Sequence, residues 1–178
     1  MKIGVIGGGR VGSGLARLWE RAGHDVRVST RTDVAETAAY GDVVVLAVPA
    51  GEVETALAAA GPLEGRILVD ATNDVAGALV RPVVDLARGA HFARAFNTLF
   101  APLYERLATA ETPPSLVFCA GDDEARAAVT TLIRDAGLEP VDAGGLDQVP
   151  LIDAFARLVI GIAYRQGRGP FVYRFEAP

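Results

Sequence analysis

Short apolar runs alternate along the chain with segments in which apolar residues recur every three or four positions. The runs are rich in Val, Ile and Leu and predict strands, whereas the longer period predicts helices. Strands are predicted at Ile3–Ile6, Val26–Ser29, Asp42–Val48, Arg66–Asp70, His91–Phe96, Leu116–Ala120 and Pro140–Asp142. Helices are predicted at Val11–Arg21, Asp33–Ala39, Glu52–Ala60, Val75–Ala87, Asp122–Ala136 and Leu146–Tyr164, of which the last is the longest.

This alternation of strands and helices predicts the fold class. A strand followed by a helix and another strand makes a βαβ unit, and such units build a parallel sheet covered by helices. The third run, "DVVVLAV", is apolar almost throughout, as expected of a strand covered on both faces. We therefore predict an α/β, Rossmann-like, doubly wound, mostly parallel sheet with a C-terminal helix and a short extended tail. Because only residues 31–41 join the second and third strands, the helix between them must be short.

Composition and charge exclude several classes of protein. The chain has 178 residues and a net charge of -5, so it lacks the overall basic field that attracts nucleic acid. Its one cysteine, Cys119, excludes a disulfide framework and a cysteine-based zinc site. No apolar run approaches the roughly 18 residues that span a membrane, and the first residues lack the pattern of a secretory signal. We therefore expect a cytoplasmic protein that has neither a membrane nor a nucleic acid as its partner.

A glycine-rich turn follows the first predicted strand and opens the first predicted helix. The sequence "GGGRVG" satisfies the pattern G-x-G-x-x-G in the context in which that pattern binds dinucleotides. Gly7 suits the tight turn, Gly9 leaves room for a pyrophosphate, and Gly12 lets the helix approach the strand closely. Backbone N–H groups at the start of the helix can then hold the phosphates. The predicted cofactor-binding residues of this loop are Gly7, Gly8, Gly9, Arg10, Val11 and Gly12.

The end of the second strand indicates which dinucleotide is bound. NAD sites carry an acidic residue there, whereas this chain has Thr30, Arg31 and Thr32. Hydroxyl groups and a guanidinium suit a 2′-phosphate, which a carboxylate would repel. NADP(H) is therefore the predicted cofactor. Asp33 keeps NAD open as an alternative, because a shift in the strand register would bring its carboxylate to the ribose.

Three further strands end at the edge of the sheet where α/β proteins bind ligands. The motif "LAVPA" is expected to form the floor beneath the adenosine and pyrophosphate, and "DATND" and "RAFNTL" are expected to reach the nicotinamide. Asparagines at such positions are also common turn formers, so both roles stay open. The predicted residues are Ala47, Val48, Pro49, Asn73, Ala95, Asn97 and Thr98.

The chain lacks the side-chain patterns of nucleophilic and acid–base catalysis. It has no Ser-His-Asp pattern, no metal-ligand cluster and no Tyr-x-x-x-Lys pair, so we predict no metal and no dedicated catalytic residue. Hydride transfer between a nicotinamide and a flavin-like ring mainly requires the protein to align the two reacting carbons. For this hydride transfer, His91, at the start of the fifth strand, is the candidate for an added catalytic role.

Several motifs occur together and in a fixed order: "IGGGRVGSGLARLW", "AGHDV", "STR", "GDVVVLAVP", "VDATND", "RAFNTLF", "AGDDEARAAVTTLI", "EPVDAGGL" and "AYRQGRGPFVYRF". Over nearly its whole length the chain resembles the NADPH-dependent F420 reductase family. The resemblance implies a Rossmann domain that binds NADPH at the glycine loop, with Thr30 and Arg31 on the 2′-phosphate. It also implies a homodimer, and a small-molecule redox acceptor, such as F420 or another flavin, held over the nicotinamide by the C-terminal region.

The expected organisation is a single NADP-binding domain, residues 1–178. Its dinucleotide-binding core is residues 1–143, and residues 144–178 form a C-terminal helix and tail on the acceptor side and at the dimer contact. The chain departs from the family at Asp147 and Pro150, where serine and arginine are usual. A carboxylate and a proline are unfavourable for a polyanionic deazaflavin, so these positions argue against F420 but not against NADPH. Arg10 also stands where the family has a neutral polar residue, and it either points to solvent or adds positive charge at the cleft.

Two other functions are compatible with the sequence. One is a non-catalytic NADP-binding sensor or partner protein, and the other is reduction of a small carbonyl, imine or ferric substrate. Reduction of a carbonyl or imine needs a proton donor near the nicotinamide. The candidates that the sequence offers are His91, Tyr104 and Asp147.

Overall fold

The fold is described from a computed structural model that covers residues 1–29, 31–74, 82–107 and 110–176. Within these ranges the strands are β1 (Lys2–Ile6), β2 (Asp25–Val28), β3 (Val43–Leu46), β4 (Ile67–Asp70), β5 (His91–Arg94), β6 (Ser115–Ala120) and β7 (Glu139–Asp142). The α-helices are α1 (Arg10–Arg21), α2 (Val34–Tyr40), α3 (Val53–Ala60), α4 (Val83–Leu86), α5 (Tyr104–Leu107), α6 (Asp123–Asp135) and α7 (Val149–Ile160). None of these helices is long and apolar enough to cross a membrane.

The strands form one sheet in the order β2-β1-β3-β4-β5-β6-β7. Strands β1 to β5 are parallel, β6 is antiparallel to β5, and β7 is parallel to β6. The predicted α/β, Rossmann-like, mostly parallel sheet is thus confirmed. The chain runs outward from β1 in both directions, so the carboxyl ends of β1 and β3 flank the switch point at which such sheets bind ligands.

Helices cover both faces of the sheet. All four residues of β3 are at most 1% exposed, as the apolar third run predicted. Helices α1 and α6 pack on one face, where Trp19 Nε1 donates a hydrogen bond to the backbone oxygen of Leu132 at 2.9 Å. Residues of α2, α3 and α4 pack on the other face. This two-sided burial fixes the strand ends relative to one another and so determines the shape of the edge that carries the site.

The link between β2 and β3 is as short as predicted, because α2 has only seven residues. It lies directly against β1, since a Cβ on Gly4 would come within 2.3 Å of the backbone oxygen of Thr37. Glycine at this position therefore lets a short helix cross the sheet at close range.

Two predicted helices differ from those in the structure. Of Val75–Ala87, residues 75–81 lie outside the described residues, and α4 begins only after the extended Pro82. The segment predicted at Leu146–Tyr164 is helical to Arg165, but it consists of a 3₁₀ turn, α7 and a π-helical segment, Gly161–Arg165. This continuous segment is the longest helical stretch among the described residues, as predicted, although its α-helical part, α7, has 12 residues and α6 has 13. The sequence analysis also missed α5, because four residues show no periodicity.

Candidate functional site

The glycine loop joins β1 to α1 at the switch point of the sheet. Gly7 has a φ of +114°, and a Cβ there would lie 2.4 Å from the backbone oxygen of Ala47. A Cβ on Gly12 would lie 2.0 Å from the backbone oxygen of Gly7, so the helix reaches the strand only because this residue is glycine. An added Cβ on Gly9 meets no atom within 4 Å, so this residue faces open space. A tight turn, a close helix contact and an open approach are the three properties that a dinucleotide loop needs.

Ser29 ties the glycine loop to the end of β2. Its buried Oγ accepts a hydrogen bond from the backbone N–H of Gly7 at 3.3 Å. This bond fixes the turn relative to the strand end that distinguishes NADP from NAD. The sequence analysis treated Ser29 only as the last residue of a strand, although a small hydroxyl residue beside a glycine turn is a signal for such a contact.

A cavity of about 880 Å³ extends from the glycine loop over the ends of β1, β2 and β3, and we call it the loop cavity. The predicted site residues that line it are Gly7, Gly8, Gly9, Arg31, Ala47, Val48 and Pro49. Arg31 is exposed at its margin, where a guanidinium can bind an anion. Thr32 is exposed and does not line this cavity, and Thr30 lies outside the described residues.

The far wall of the loop cavity is helical and was missed by the sequence analysis. It consists of Gly51, Glu52, Thr55, Ala56 and Ala59, from the 3₁₀ turn Ala50–Glu52 and from α3. Spacings of three and four residues place the last four on one helix face. The small side chains of Thr55, Ala56 and Ala59 leave room for a flat group, and this stripe of small residues after the third strand was the available signal.

A second cavity, of about 360 Å³, lies beyond the ends of β4 and β5, and we call it the cleft cavity. Of the predicted residues, Arg10, Val11, Asn73, Asn97 and Thr98 line it. Its other walls are mostly apolar and are formed by Leu99, Phe100, Ala101, Pro102, Ile160 and Tyr164. The structure brings the two asparagines together, because Asn73 Nδ2 donates to the backbone oxygen of Asn97 at 2.8 Å. Apolar walls with a few polar groups are typical of sites for planar ligands.

Arg10 lies between the two cavities. It lines the cleft cavity and also a groove of about 500 Å³, whose other lining residues include Gly8, Gly9 and Arg17. Because Gly8 and Gly9 line the loop cavity as well, the groove connects the two cavities. Arg10 is exposed, so both alternatives drawn from the sequence apply: the side chain meets solvent and contributes positive charge at the cleft.

Two residues considered for the site lie elsewhere in the fold. Ala95 is completely buried in the core, where its N–H donates to the backbone oxygen of Asp70, and this excludes a side-chain contact with a cofactor. His91 begins β5 and is therefore at the opposite edge of the sheet from the glycine loop. Its Nδ1 lies 2.9 Å from Asp122 Oδ2, and this hydrogen bond raises the pKa of His91. The suggested catalytic role of His91 is wrong. In a parallel sheet all strands begin at one edge and end at the other, so a residue that begins β5 lies far from a site at the carboxyl ends.

The other proton donors considered from the sequence do not line the cleft cavity either. Tyr104 is 1% exposed, its ring lies against Gly14, and burial raises its pKa well above the ordinary value. Asp147 is exposed in the 3₁₀ turn before α7, whereas Tyr164 of the cleft cavity follows the other end of that helix. In the described part of the chain no three or more His, Cys, Asp or Glu side chains are arranged to hold a metal ion.

A buried ion-pair network underlies the cleft cavity. Arg94, at the end of β5, is 2% exposed, and its Nη1 lies 2.9 Å from Asp70 Oδ2 at the end of β4. Its Nε and Nη2 donate to Oδ1 of Asp153, on α7, at 3.0 and 2.7 Å. Burial raises the pKa of Asp70, and the positive charge of Arg94 opposes that rise. Asp70, Arg94 and Asp153 are distant in sequence, so no local pattern predicted this network.

Asn97 is held by the same network. Phe96, which precedes it, has a φ of +66°, a strained conformation for an aromatic residue, and its ring packs edge-on against Trp19 at 5.5 Å. Asn97 Nδ2 donates to Asp153 Oδ1 at 3.3 Å, while its Oδ1 is buried and has no hydrogen-bond partner among the described residues. Backbone strain held in place by packing is typical of binding sites.

The segment after α7 closes the outer side of the cleft cavity. The hydroxyls of Thr98 and Tyr173 are hydrogen-bonded at 2.6 Å. Ser115 fastens the tail to β6, because its N–H donates to the backbone oxygen of Tyr173 at 2.9 Å. Tyr164 lies in the π-helical segment and packs edge-on against Phe100, with ring centroids 5.8 Å apart. These contacts place the segment beside the cleft cavity, while its role on the acceptor side stays a prediction.

The chain is similar to known proteins in sequence and in fold. A family model described as NADP oxidoreductase, coenzyme F420-dependent, matches residues 2–35 and 29–74. A candidate F420-dependent NADP reductase from Arthrobacter sp. FB24 superimposes with a TM-score of 0.84 at 24% identity, over 99% of this chain and 100% of that one. Pyrroline carboxylate reductase of Plasmodium falciparum, solved with NADP bound, gives a TM-score of 0.63 at 16% identity, over 94% and 69% of the two chains. A reductive aminase from Aspergillus terreus, in complex with NADPH4, cyclohexanone and allyl amine, gives 0.66 at 18% identity, over 92% and 64%.

These structural likenesses show a shared fold, and the family match adds the evidence on chemistry. The matched segments contain the glycine loop, the end of β2 and the strand ends as far as Asn73. The match supports an NADP-dependent oxidoreductase and disfavours the non-catalytic sensor. The resemblance to the coenzyme F420-dependent NADP oxidoreductase family, which the sequence motifs indicated, is thus confirmed over residues 2–74.

Proposed function

We propose that the chain is an NADP(H)-dependent oxidoreductase that transfers hydride between NADPH and a flavin-like acceptor such as coenzyme F420. The observation that carries this proposal is the arrangement of the two cavities at one edge of the sheet. The loop cavity lies at the switch point, and the groove at Arg10 joins it to the mostly apolar cleft cavity. A dinucleotide laid along this edge has its adenosine over β2 and β3 and its nicotinamide over β4 and β5.

The residues of the loop cavity fit NADP(H). Gly9 leaves an open approach for the pyrophosphate, and the first N–H groups of α1 face it. Arg31 would bind the 2′-phosphate, together with Thr30 as the family resemblance implies, while Ala47 and Val48 support the adenosine. The cofactor, when bound, supplies or accepts the hydride. The role of the protein is to hold the nicotinamide and the acceptor ring at reacting distance and to exclude water between them.

The lining of the cleft cavity offers a test between a flavin-like acceptor and a carbonyl or imine. Its lining hydroxyls belong to Thr98, which is hydrogen-bonded to Tyr173, and to Tyr164. Transfer between two rings does not depend on a positioned proton donor, whereas reduction of a carbonyl or imine does. Among the lining residues, Tyr164 is therefore the group whose removal separates the two reactions.

The departures from the family at Asp147 and Pro150 do not argue against binding of F420 in the cleft cavity. Neither residue lines it, and the ten residues from Pro150 to Ile160, the nearer lining residue, span about 15 Å at ~1.5 Å per helical residue. An anionic acceptor in this cavity would meet Arg10 instead. F420 therefore stays among the proposed acceptors.

Replacing Arg31 with alanine is expected to weaken NADPH binding and to leave NADH binding unchanged. A charge-assisted contact with the 2′-phosphate contributes about 1.5–3 kcal/mol, or roughly 10- to 150-fold in affinity. Both dissociation constants can be measured by titrating the nicotinamide fluorescence. Arg134→Ala, which removes an exposed arginine from α6, serves as the matched control. Equal losses for NADPH and NADH would contradict NADP selectivity.

The acceptor is tested by following NADPH oxidation with F420, FMN, FAD, a ferric chelate and a cyclic imine. We expect turnover with F420 or another flavin, and Tyr164→Phe should keep at least half of that kcat. Imine turnover that Tyr164→Phe abolishes would indicate an imine reductase instead. Tight NADPH binding without turnover of any of these acceptors would indicate the non-catalytic NADP-binding sensor instead.

We also propose that the protein forms a homodimer through the outer face of α7. Leu151 and Leu158 are 64% and 59% exposed and lie two helical turns apart on that face. Leu158→Arg should halve the mass measured by light scattering, because it places a charge in an apolar interface. Glu124→Arg, on the exposed first turn of α6, should leave the dimer intact. A wild-type protein that scatters as an 18.6 kDa monomer would contradict the proposal.

A further inference from the structure

The wall of the cleft cavity contains a buried acceptor that no donor reaches within the described part of the chain. Asn97 lines this cavity and is 1% exposed, and its Oδ1 has no partner among the described residues. A buried amide oxygen left unpaired costs stability, so native proteins rarely keep one without a reason. Because Asn97 lines the cavity, a bound molecule can supply the missing donor.

Asp153 determines which way the Asn97 amide points. Its Oδ1 accepts hydrogen bonds from Nε and Nη2 of Arg94 and from Nδ2 of Asn97. An ionised carboxylate only accepts hydrogen bonds, so a flipped amide would bring its oxygen against the Asp153 oxygen. The amide nitrogen is therefore held toward Asp153 and the amide oxygen is held away from it.

The surrounding groups keep this arrangement rigid. Arg94 Nη1 also bonds to Oδ2 and to the backbone oxygen of Asp70, so the guanidinium is held from both sides. The left-handed conformation of Phe96 directs Asn97 to this position, and Trp19 packs against the Phe96 ring. Backbone strain and a buried charge network thus hold Asn97 Oδ1, which has no hydrogen-bond partner among the described residues, in the wall of the cleft cavity.

We propose that Asn97 Oδ1 binds an N–H group of the ligand in the cleft cavity, and that Asp153 is the positioning residue that keeps this oxygen turned toward the ligand. The inference rests on the proposed function, because it takes the ligand to be a nicotinamide or an acceptor ring. Both carry the required chemistry: the nicotinamide has a carboxamide NH₂, and a flavin-type ring has an imide N–H. The shared feature is an N–H donor attached to a planar ring.

The first test uses calorimetric binding of NADP and of its 3-acetylpyridine analogue, in which a methyl group replaces the carboxamide NH₂. Wild type should bind the analogue at least tenfold more weakly. Asp153→Ala should reduce this ratio below threefold, because it removes the acceptor of Asn97 Nδ2 and leaves the Asn97 amide free to turn its oxygen away from the cavity. Arg94 keeps its partner Asp70 in this variant, so the buried charge stays balanced. Asp147→Asn, which neutralises an exposed carboxylate just before α7, should keep the wild-type ratio.

The second test examines the acceptor, through the KM values of FMN and of 3-methyl-FMN, which lacks the imide N–H. If the redox acceptor supplies the N–H group, this KM ratio exceeds ten in wild type and falls below three in Asp153→Ala, while kcat for FMN changes less than threefold. Asn97→Ala removes the oxygen itself and should bring either ratio close to one. A merely structural role of Asp153 would lower binding of both members of a pair equally.

The outcomes separate the two proposals. Ratios below three for both ligand pairs in wild type would overturn the inference while leaving NADP binding intact. A large wild-type ratio that persists in Asp153→Ala would overturn the positioning role of Asp153. Failure of wild type to bind NADP or NADPH at all would overturn the proposed function, and the inference with it.

Discussion

Replacing Arg94 with methionine should destabilise the protein by about 3–5 kcal/mol, the loss typical of removing one partner from a buried ion pair. Methionine fills a similar volume, so the loss comes from the charges and hydrogen bonds rather than from a cavity. The Arg94 and Asp70 side chains are 3% and 4% exposed, and Asp153 is 32% exposed on the other side. Two carboxylates would then share the interior without a cation.

The free energy of unfolding in urea measures this loss. Arg17→Met provides the matched control, because Arg17 Nε lies 3.5 Å from Glu105 Oε1 and both side chains are more than half exposed. A solvated pair of this kind contributes less than about 1 kcal/mol. Comparable losses of unfolding free energy in the two variants would contradict the claim that the buried network stabilises the protein more than a surface ion pair does.

The loss of unfolding free energy in Arg94→Met should also depend on pH. Burial already raises the pKa of Asp70, and loss of the opposing positive charge raises it further. An acid with a raised pKa in the folded state favours folding when it is protonated, and that contribution is lost as the pH rises through the folded pKa. Relative to wild type, the variant should therefore be less impaired at pH 5 than at pH 8. If the loss of unfolding free energy is the same at pH 5 and pH 8, the unpaired carboxylates are not its cause.

Gly12→Ala should be the most damaging change in the glycine loop. In an ordinary helix the change would stabilise by about 1 kcal/mol. Here the new Cβ would lie 2.0 Å from the backbone oxygen of Gly7, which cannot move without opening the turn. We expect a loss of about 3 kcal/mol in stability, together with loss of measurable NADPH binding, because helix and loop must separate.

Two other glycines make this prediction specific. Gly161 is helical with a φ of -60°, and an added Cβ meets nothing within 4 Å, so Gly161→Ala should preserve stability and binding. Gly9→Ala also meets no protein atom, but its methyl group would stand where the pyrophosphate approaches. It should keep the wild-type urea midpoint and lower NADPH affinity at least tenfold. Unimpaired NADPH binding by Gly9→Ala would contradict the placement of the cofactor.

Features that depend on neighbouring residues were predictable. Each strand run contains its own apolar signal, and the glycine pattern is local, so the fold class and the loop residues Gly7, Gly9 and Gly12 followed from the sequence. Arg31 was predictable for the same reason, since its distance from the loop is set by one βαβ unit. The burial of the Ala95 side chain could not be predicted, because motif position alone does not show which way a strand residue faces.

Contacts between distant segments were not predictable from one sequence. Asp70, Arg94 and Asp153 each look like an ordinary charged residue in their own segment, and only packing of α7 on the sheet brings them together. The same holds for Thr98 and Tyr173, and for the helix face that completes the loop cavity. A 3.6-residue stripe shows that a helix has a buried or lining face, but not what that face meets.

The sequence by itself determined the parallel α/β architecture, the dinucleotide loop and the cationic residue at the end of β2, because each is encoded by short-range pattern and spacing. Only the tertiary structure decided where His91 lies and which two cavities Arg10 lies between. It also decided which oxygen at the cleft cavity has no donor among the described residues. The physical reason is that a strand end or a helix face acquires its chemistry from its neighbours, and those neighbours are chosen by packing.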